Sequence, residues 1–200
     1  MEFDPELFIK TSKILKNYDG YFEKGMELIT LKVIDSMAIF TRKGIEVLDS
    51  GRLNIYKNTN KDTGFASYIT FNHGGKIINL LNVHGKAHPG HKNDIPARLK
   101  QSENIINLFS DKKGPKIIGG DFNLNPDTKS VQMFETAGYK NLIKDFNIKN
   151  TRNKLSWKQH RNHQQFADYC FVSPEVKVKS FEVPYMEISD HLPQILEIGI

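Results

Sequence analysis

The chain has 200 residues, 38% of them hydrophobic and 26% charged, and its formal net charge is +5. This size and composition fit a single globular domain over residues 1–200, and the positive charge suits an anionic partner, although solubility alone could explain it. The apolar runs are too short to span a membrane, and a single cysteine excludes both a disulfide framework and a cysteine-based zinc site. We therefore expect a cytoplasmic protein that acts as a monomer.

The N-terminal half combines one helix with several strands. Asp4 and Pro5 form an N-cap and first-turn pair for a helix whose apolar stripe extends to Tyr18 and which ends before Gly20. The residues at 72–75, Asn-His-Gly-Gly, predict a tight turn and hence an antiparallel hairpin. Alternating apolar residues predict strands at 37–41, 45–48, 65–71 and 76–83.

The C-terminal half alternates helices with strands. A helix that opens at Asp94 and Pro96 continues until Gly114-Pro115 ends it. Further helical segments are predicted at 128–137 and 139–146, and further strands at 116–119, 166–172, 176–183 and 192–198. The basic connection 149–165 is long for a structureless loop, so we expect it to be functional or partly ordered. Helices and strands in this mixed order predict an α/β or α+β layered domain.

Polar clusters lie at the ends of four apolar runs, at 82–85, 120–123, 167–169 and 189–191. If these strand ends meet, one crevice holds three carboxylates, two imidazoles and one carboxamide. Carboxylate oxygens are preferred Mg²⁺ ligands, and an Asp–His pair can activate water. An asparagine can donate to a phosphoryl oxygen without adding charge. The set predicts metal-assisted attack of water on a phosphate ester.

Each cluster also has a plain structural explanation. Gly-Asp-Phe-Asn at 120–123 is a common turn composition, Asp190 could be a cap, and His84 could be a core histidine. Asp168 is harder to explain in this way, because it lies within the apolar run 166–172 and a buried charge needs a partner. The four clusters together therefore carry more weight than any one of them.

In their order along the chain, the four clusters resemble the motifs of the endonuclease/exonuclease/phosphatase superfamily. The matching segments are Asn82-Val83-His84-Gly85, Gly119-Gly120-Asp121-Phe122-Asn123, Ala167-Asp168-Tyr169-Cys170-Phe171-Val172-Ser173-Pro174 and Ser189-Asp190-His191-Leu192-Pro193. The resemblance extends from about residue 5 to the C-terminus. It implies a deoxyribonuclease-I-like fold, which is a four-layered α/β sandwich of two mixed β-sheets flanked by helices. It also implies a divalent-metal phosphoesterase site at the strand ends.

The resemblance assigns catalytic roles to five of these side chains, and three of them act on the water, the metal or the leaving group. His191 would activate or face the attacking water, with Asp168 as the partner that orients its ring. Asp121 would help to bind the metal or handle the proton of the leaving group. The implied cofactor is Mg²⁺, or Mn²⁺ in its place.

The other two catalytic side chains bind the substrate, and a further carboxylate is assigned to the metal. Asn123 would hold the scissile phosphate, and His84 would contact the phosphate from the opposite side. Asp190 would ligate or orient the metal together with Asp121.

One departure from the family pattern concerns the beginning of the domain. Family members normally open with a strand that carries an Asn, then a helix, then a strand ending in Gln-Glu whose Glu is a principal metal ligand. This sequence starts after that point, so we expect those two strands and the intervening helix to lie upstream, where a signal peptide could also lie. Glu2 is a poor substitute, because a terminal carboxylate with no strand to hold it is a weak ligand.

The sequence thus predicts a Mg²⁺-dependent hydrolase of phosphodiester bonds, endonuclease-like, that acts on DNA or RNA. Lys86, Lys92, Arg98 and the basic residues of 152–161 are the expected contacts to backbone phosphates. One alternative is a phosphatase or phosphodiesterase that acts on lipid head groups or small phosphoesters. Another alternative is a binding module without catalytic activity. The metal-ligand Glu that this sequence lacks favours it, and the presence of the other site residues argues against it.

Overall fold

The structure is a computed structural model that describes residues 2–3, 5–28, 33–57, 64–159 and 164–199. The helices in this part of the chain are α1 (Pro5–Ile14), α2 (Pro96–Ser110), α3 (Lys129–Thr136), α4 (Leu142–Asp145) and α5 (Lys154–Gln159). The strands are β1 (Glu2–Phe3), β2 (Tyr18–Leu28), β3 (Val33–Arg42), β4 (Glu46–Asn54), β5 (Phe65–His73), β6 (Lys76–His84), β7 (Lys116–Asp121), β8 (Lys140–Asn141), β9 (Asp168–Val172), β10 (Lys177–Glu182) and β11 (Ile195–Gly199). None of the described helices is both long and apolar enough to cross a membrane.

A six-stranded mixed sheet forms the centre of the molecule. Its strand order is β4-β5-β6-β7-β9-β8, with β6 and β7 parallel and the other neighbours antiparallel. The parallel pair needs a crossover connection, which α2 supplies. One face of the sheet packs on the helices through a core that includes Leu81, Val83, Ile118, Tyr169, Phe171, Ile105, Phe109 and Phe134. These side chains are nearly inaccessible to solvent, so this layer is the main apolar core.

Two smaller sheets lie on the opposite face. One has the order β1-β3-β2 and the other pairs β10 with β11. The amide Nδ2 of Asn82, on β6, donates to the carbonyl oxygen of Ala38, on β3, at 3.3 Å. Near β10 and β11, an apolar cleft of about 430 Å³ lies between Leu80 and Ile117 of the large sheet and Leu196 of β11. The α/β sandwich of mixed sheets and helices predicted from the sequence is confirmed.

The hairpin between β5 and β6 confirms the predicted turn. His73 pairs with Lys76, and the two turn residues Gly74 and Gly75 have φ values of 60° and 78°. Two successive positive φ values match the twist of a two-residue hairpin and favour glycine.

The N-terminal helix is shorter than predicted. It ends at Ile14, and Tyr18 begins β2 and pairs with Arg42 instead of continuing the helical stripe. The long antiparallel pairing of β2 with β3 satisfies the backbone groups of 18–28, and this tertiary pairing overrides the local helical pattern. Glu2 also differs from expectation, because it lies in a strand and pairs with Asp35.

Several C-terminal boundaries move by a few residues. Strand β9 begins at Asp168, and β11 begins at Ile195. The amide of Leu192 donates to the carbonyl of Thr151 at 2.8 Å, so this residue serves the 149–165 connection and not β11. Part of that connection forms α5. Residues 160–163, some of which were expected to contact phosphates, lie outside the described part of the chain.

Asp94 ties the approach to α2 to the start of α3. Its carboxylate accepts from the Lys129 amide at 2.7 Å, from the Ser130 amide at 3.0 Å and from the Ser130 hydroxyl at 2.5 Å. Burial acts to raise the pKa of Asp94, but these hydrogen bonds outweigh it and lower the pKa below its ordinary value. The carboxylate therefore acts as a second cap beside the N-cap Thr128.

Replacing this carboxylate should destabilise the fold at neutral pH. Asp94→Ala is expected to lower the free energy of unfolding by about 1 kcal/mol, the usual effect of losing a helix cap. Because the pKa is depressed in the folded state, the difference from wild type should shrink as pH falls below about 3.9. Urea denaturation at a series of pH values measures it. Asp111→Ala, which removes an exposed carboxylate at the other end of α2, is the control, and equal effects of the two variants would contradict the capping role.

Candidate active site

Three predicted site residues stand side by side across the central sheet. His84 of β6 is in register with Asp121 of β7, and Asp121 is in register with Asp168 of β9. The end of β6, the end of the parallel β7 and the beginning of the antiparallel β9 all meet at one edge of the sheet. Because side chains alternate along a strand, these three share the face that lies under the smaller sheets.

His191 completes the row from a different segment. Its Nδ1 lies 2.8 Å from Oδ1 and 2.9 Å from Oδ2 of Asp168. An ionised carboxylate can only accept, so Nδ1 carries the hydrogen, and in the neutral ring Nε2 has the free lone pair. Nε2 is 3.7 Å from Asp121 Oδ2 and 3.8 Å from Asp190 Oδ2, which is beyond hydrogen-bonding distance from either. The imidazole is therefore held by Asp168 with Nε2 directed at the neighbouring carboxylates.

Thr151 joins the two halves of this pair. Its hydroxyl oxygen accepts from the amides of Ala167 at 3.0 Å and Asp168 at 3.2 Å. Its carbonyl accepts from the amide of Leu192, and the adjacent Arg152 forms an isolated antiparallel bridge with His191. One fully buried threonine thus fixes both the segment that carries the acid and the segment that carries the imidazole.

The environment shifts the pKa values of the pair. Burial, together with the nearby charge of Asp121, raises the pKa of Asp168, and the hydrogen bond from His191 opposes this only in part. Burial acts to lower the pKa of His191, but the hydrogen bond to Asp168 and the charges of Asp168 and Asp121 outweigh it, so the pKa lies above its ordinary value. The ring is consequently a stronger base than a free imidazole.

Asn123 lies directly behind Asp121 in a constrained turn. Its φ is 55°, and its amide donates to Asp121 Oδ1 at 2.8 Å. Its side-chain Nδ2 donates to the carbonyl of Gly85 at 3.1 Å, and its Oδ1 accepts from the ammonium of Lys92. Asn123 is only 5% exposed. Hydrogen bonds at both its Nδ2 and its Oδ1 therefore fix the orientation of its side-chain amide.

The glycines around this turn permit its close packing. Gly120 has a φ of 128°, and a Cβ there would lie 2.2 Å from the carbonyl oxygen of Val83. A Cβ on Gly85 would lie 2.4 Å from the carbonyl oxygen of Phe122. Side chains at either position would separate β6 from β7 or displace the turn.

Asp190 lies at the rim and is paired with a cation. Its Oδ2 is 2.5 Å from Nη2 of Arg152, a side chain that is 6% exposed, while Asp190 is 35% exposed. Burial acts to raise the pKa of Asp190, but the hydrogen bond from Arg152 and the charge of His191 lower it overall. The carboxylate predicted as a metal ligand is therefore engaged by Arg152.

A second group of side chains, two carboxylates and an imidazole, could hold a divalent cation. Ligand atoms of Asp121, Asp168 and His191 lie within 4.8 Å of one another. Carboxylate oxygens are the hard donors that Mg²⁺ and Mn²⁺ favour, and a histidine oriented by a carboxylate is a common neighbour of such sites. Since Asp168 is already bound to His191, Asp121 is the carboxylate best placed for a metal.

The row opens into a crevice of about 300 Å³. Its walls are formed by Ser36, Met37, Ala38, Asn82, Val83, His84, Asp121, Asp168 and His191. The predicted residues thus come together, with Asn123 and Asp190 adjoining the lining. The segment 36–38 of β3, which covers one side, carried no functional signal in the sequence.

One predicted phosphate contact is wrong. Arg98 is fully buried, and its guanidinium donates to backbone carbonyls of the 86–93 loop instead of reaching solvent. Its spacing from Ser102, Ile105 and Phe109 places Arg98 on the buried stripe of α2. This helical spacing could have indicated from the sequence that Arg98 is buried. Lys92 is also buried, at 5% exposure, and its pKa is lowered by burial despite the opposing charge of Asp121.

Comparison with known proteins gives a consistent family assignment. A family model for the Endonuclease/Exonuclease/phosphatase family matches residues 29–191. A search among curated proteins found no match.

Solved structures share the fold at low sequence identity. The endonuclease/exonuclease/phosphatase from Bacteroides vulgatus is 22% identical with a TM-score of 0.74, over 98% of this chain and 81% of that one. The mannosyl-6-phosphatase of Bacteroides thetaiotaomicron is 19% identical with a TM-score of 0.73, over 98% and 82%. The human Nocturnin catalytic domain with bound sulfate anion is 19% identical with a TM-score of 0.74, over 99% and 78%.

The matched region includes every strand that contributes to the row of site residues, and the fold agrees over nearly the whole chain. Proteins of this family are phosphoesterases and generally depend on a divalent metal. The chain therefore belongs to the endonuclease/exonuclease/phosphatase family, whose members hydrolyse phosphoester bonds.

Proposed function

We propose that this protein is a Mg²⁺-dependent hydrolase of phosphodiester bonds that cleaves nucleic acid as an endonuclease. The observation that supports this most is the row His84, Asp121 and Asp168 in register across three strands, closed by His191 at 2.8 Å from Asp168. It puts two imidazoles and two carboxylates around one small crevice.

His191 is the base in this proposal. With Nδ1–H donated to Asp168, the Nε2 lone pair can accept a proton from a water molecule in the crevice. Asp168 is 7% exposed, so its charge is little screened by solvent and stabilises the imidazolium that forms. The dyad thereby lowers the barrier for attack on phosphorus and keeps the ring from rotating away.

Asn123 and His84 bind the phosphate from two sides of Asp121. The Asn123 amide has a second Nδ2–H beyond the one donated to Gly85, and His84 lines the crevice. Both are donors that stabilise charge on a phosphoryl oxygen. Asp121 would hold a divalent cation, and Asp190 orients this region through Arg152. When bound, a divalent cation would neutralise negative charge on the phosphate and the leaving oxygen.

A second candidate is hydrolysis of a small phosphomonoester. Two side chains that are almost fully buried, Lys92 and Arg152, lie on the Asn123 and Asp190 sides of the row. This positive charge suits a dianionic ester, and a crevice of about 300 Å³ fits a small substrate. The net charge of +5 favours nucleic acid instead.

Substrate preference separates the two candidates. We expect nicking of supercoiled plasmid and faster hydrolysis of bis(p-nitrophenyl) phosphate than of p-nitrophenyl phosphate, in Mg²⁺ or Mn²⁺ and not in EDTA. Faster turnover of the monoester would support the second candidate. No hydrolysis of any of the three by folded protein would contradict both and favour a binding module.

Removal of the base should abolish most turnover. His191→Ala is expected to lower kcat by about 10²- to 10⁴-fold, because proton transfer to the imidazole is lost. Steady-state kinetics on the diester measure the change. His73→Ala, in the exposed hairpin turn, is the matched control and should retain wild-type kcat. Equal activity of the two variants would exclude His191 as the base.

The pH profile tests the role of Asp168. Because the base must be unprotonated, kcat/KM of the wild type should fall as pH drops through the raised pKa of His191. Asp168→Asn removes the carboxylate that raises this pKa, so the inflection should move to lower pH while the plateau rate falls. Asp111→Asn should leave the profile in place. An unmoved inflection in Asp168→Asn would show that a different group controls the acid limb.

A further inference from the structure

Lys92 is a buried lysine that the proposed chemistry leaves unused. It is 5% exposed, and its ammonium donates to Oδ1 of Asn123, a neutral amide. Burying a charge whose hydrogen-bond partner is neutral is costly, even with the Asp121 carboxylate nearby, and an uncharged side chain of similar length could fill the same space at lower cost. A purely structural role therefore explains the lysine poorly.

The loop that carries Lys92 is held firmly in place. Arg98 donates to the carbonyls of Lys86, Ala87, Pro89, His91 and Asn93. The carbonyl of Lys92 also accepts from the amide of Asn125 at 2.8 Å. Both the backbone and the side chain of Lys92 thus contact the turn that follows β7. The contact with Asn123 is therefore part of an ordered hydrogen-bond network.

The contact fixes which way the Asn123 amide points. An ammonium can only donate, so it requires Oδ1 on its own side and puts Nδ2 on the other. One Nδ2–H is donated to the carbonyl of Gly85, and the proposed function assigns the second to a phosphoryl oxygen. A cation at the oxygen also withdraws electron density from the amide and makes its N–H a stronger donor.

We propose that Lys92 is a positioning residue for the phosphate subsite, which holds the Asn123 amide with its N–H towards a phosphoryl oxygen and supplies positive charge behind it. This role rests on the proposed function, in which Asn123 binds the scissile phosphate. The Lys92 ammonium donates to Oδ1 of Asn123, so it acts on the subsite through Asn123 and not by contact with the substrate.

A double-mutant cycle tests the coupling. Lys92→Met keeps the length of the side chain and removes the charge, and it is expected to lower kcat on bis(p-nitrophenyl) phosphate about 10- to 100-fold, the effect of one charge-assisted hydrogen bond. In the background of Asn123→Ala, the same change should cost less than about twofold, because the group through which Lys92 acts is gone. Lys100→Met, an exposed lysine on α2, is the control and should keep wild-type kcat.

A binding measurement separates this role from catalysis. Inorganic phosphate is titrated into metal-free protein while the side-chain amide signals of Asn123 are followed by NMR. The wild-type signals should shift with phosphate, and Lys92→Met should move their starting position and weaken phosphate binding about tenfold or more. If Lys92→Met does not fold, Lys92→Gln, which keeps a donor without the charge, is used for both measurements and should show a partial loss.

The outcomes distinguish the two proposals. If the wild type hydrolyses no ester, the proposed function fails, and the phosphate titration still decides whether Lys92 orients Asn123. If the wild type is active and Lys92→Met matches it in kcat and in phosphate binding, the role of Lys92 is overturned. Losses that multiply in the double variant would also overturn it, because they would show that Lys92 acts independently of Asn123.

Discussion

The hydrogen bond between Asp168 and His191 is the constraint on which the rest of the site depends. A carboxylate that is 7% exposed at the start of a strand needs a partner to offset its lost hydration, and the imidazole is that partner. To bring His191 there, the segment near residue 190 must reach the connection at 151–152, and Thr151 anchors both. The stability of this corner and the orientation of the base therefore come from the same contacts.

The opposite side of the row is built by close backbone approach. Gly85 and Gly120 allow β6, β7 and the following turn to pack at distances that a Cβ would prevent, and this places Asn123 behind Asp121. The Arg98 guanidinium donates hydrogen bonds to carbonyls of the 86–93 loop, which water would otherwise satisfy. This holds the loop where Lys92 can reach Asn123. The proposed phosphate-binding group, Asn123, and the proposed base, His191, are thus held by two separate sets of contacts, one on each side of Asp121.

The sequence predicted the row itself but not its supports. His84, Asp121, Asp168 and His191 each follow or begin an apolar run, and strand ends in one sheet must meet, so local patterns suffice to group them. Thr151 could not be found in this way, and Lys92 was expected only as a phosphate contact, because the roles of both depend on contacts with residues distant in sequence. The same limit explains why Tyr18 was predicted to be helical. Its spacing is that of a helix, but it pairs with Arg42 of β3, which is distant in sequence.

The most direct test of this site is a crystal structure of the protein with Mn²⁺ and inorganic phosphate, with the cation located by its anomalous signal. We expect Mn²⁺ beside the Asp121 carboxylate, with a phosphate oxygen bound by Nδ2 of Asn123 and Nε2 of His191 facing the crevice. Mn²⁺ bound away from Asp121, or phosphate that contacts neither Asn123 nor His84, would contradict the claim that these strand ends form a phosphoesterase site.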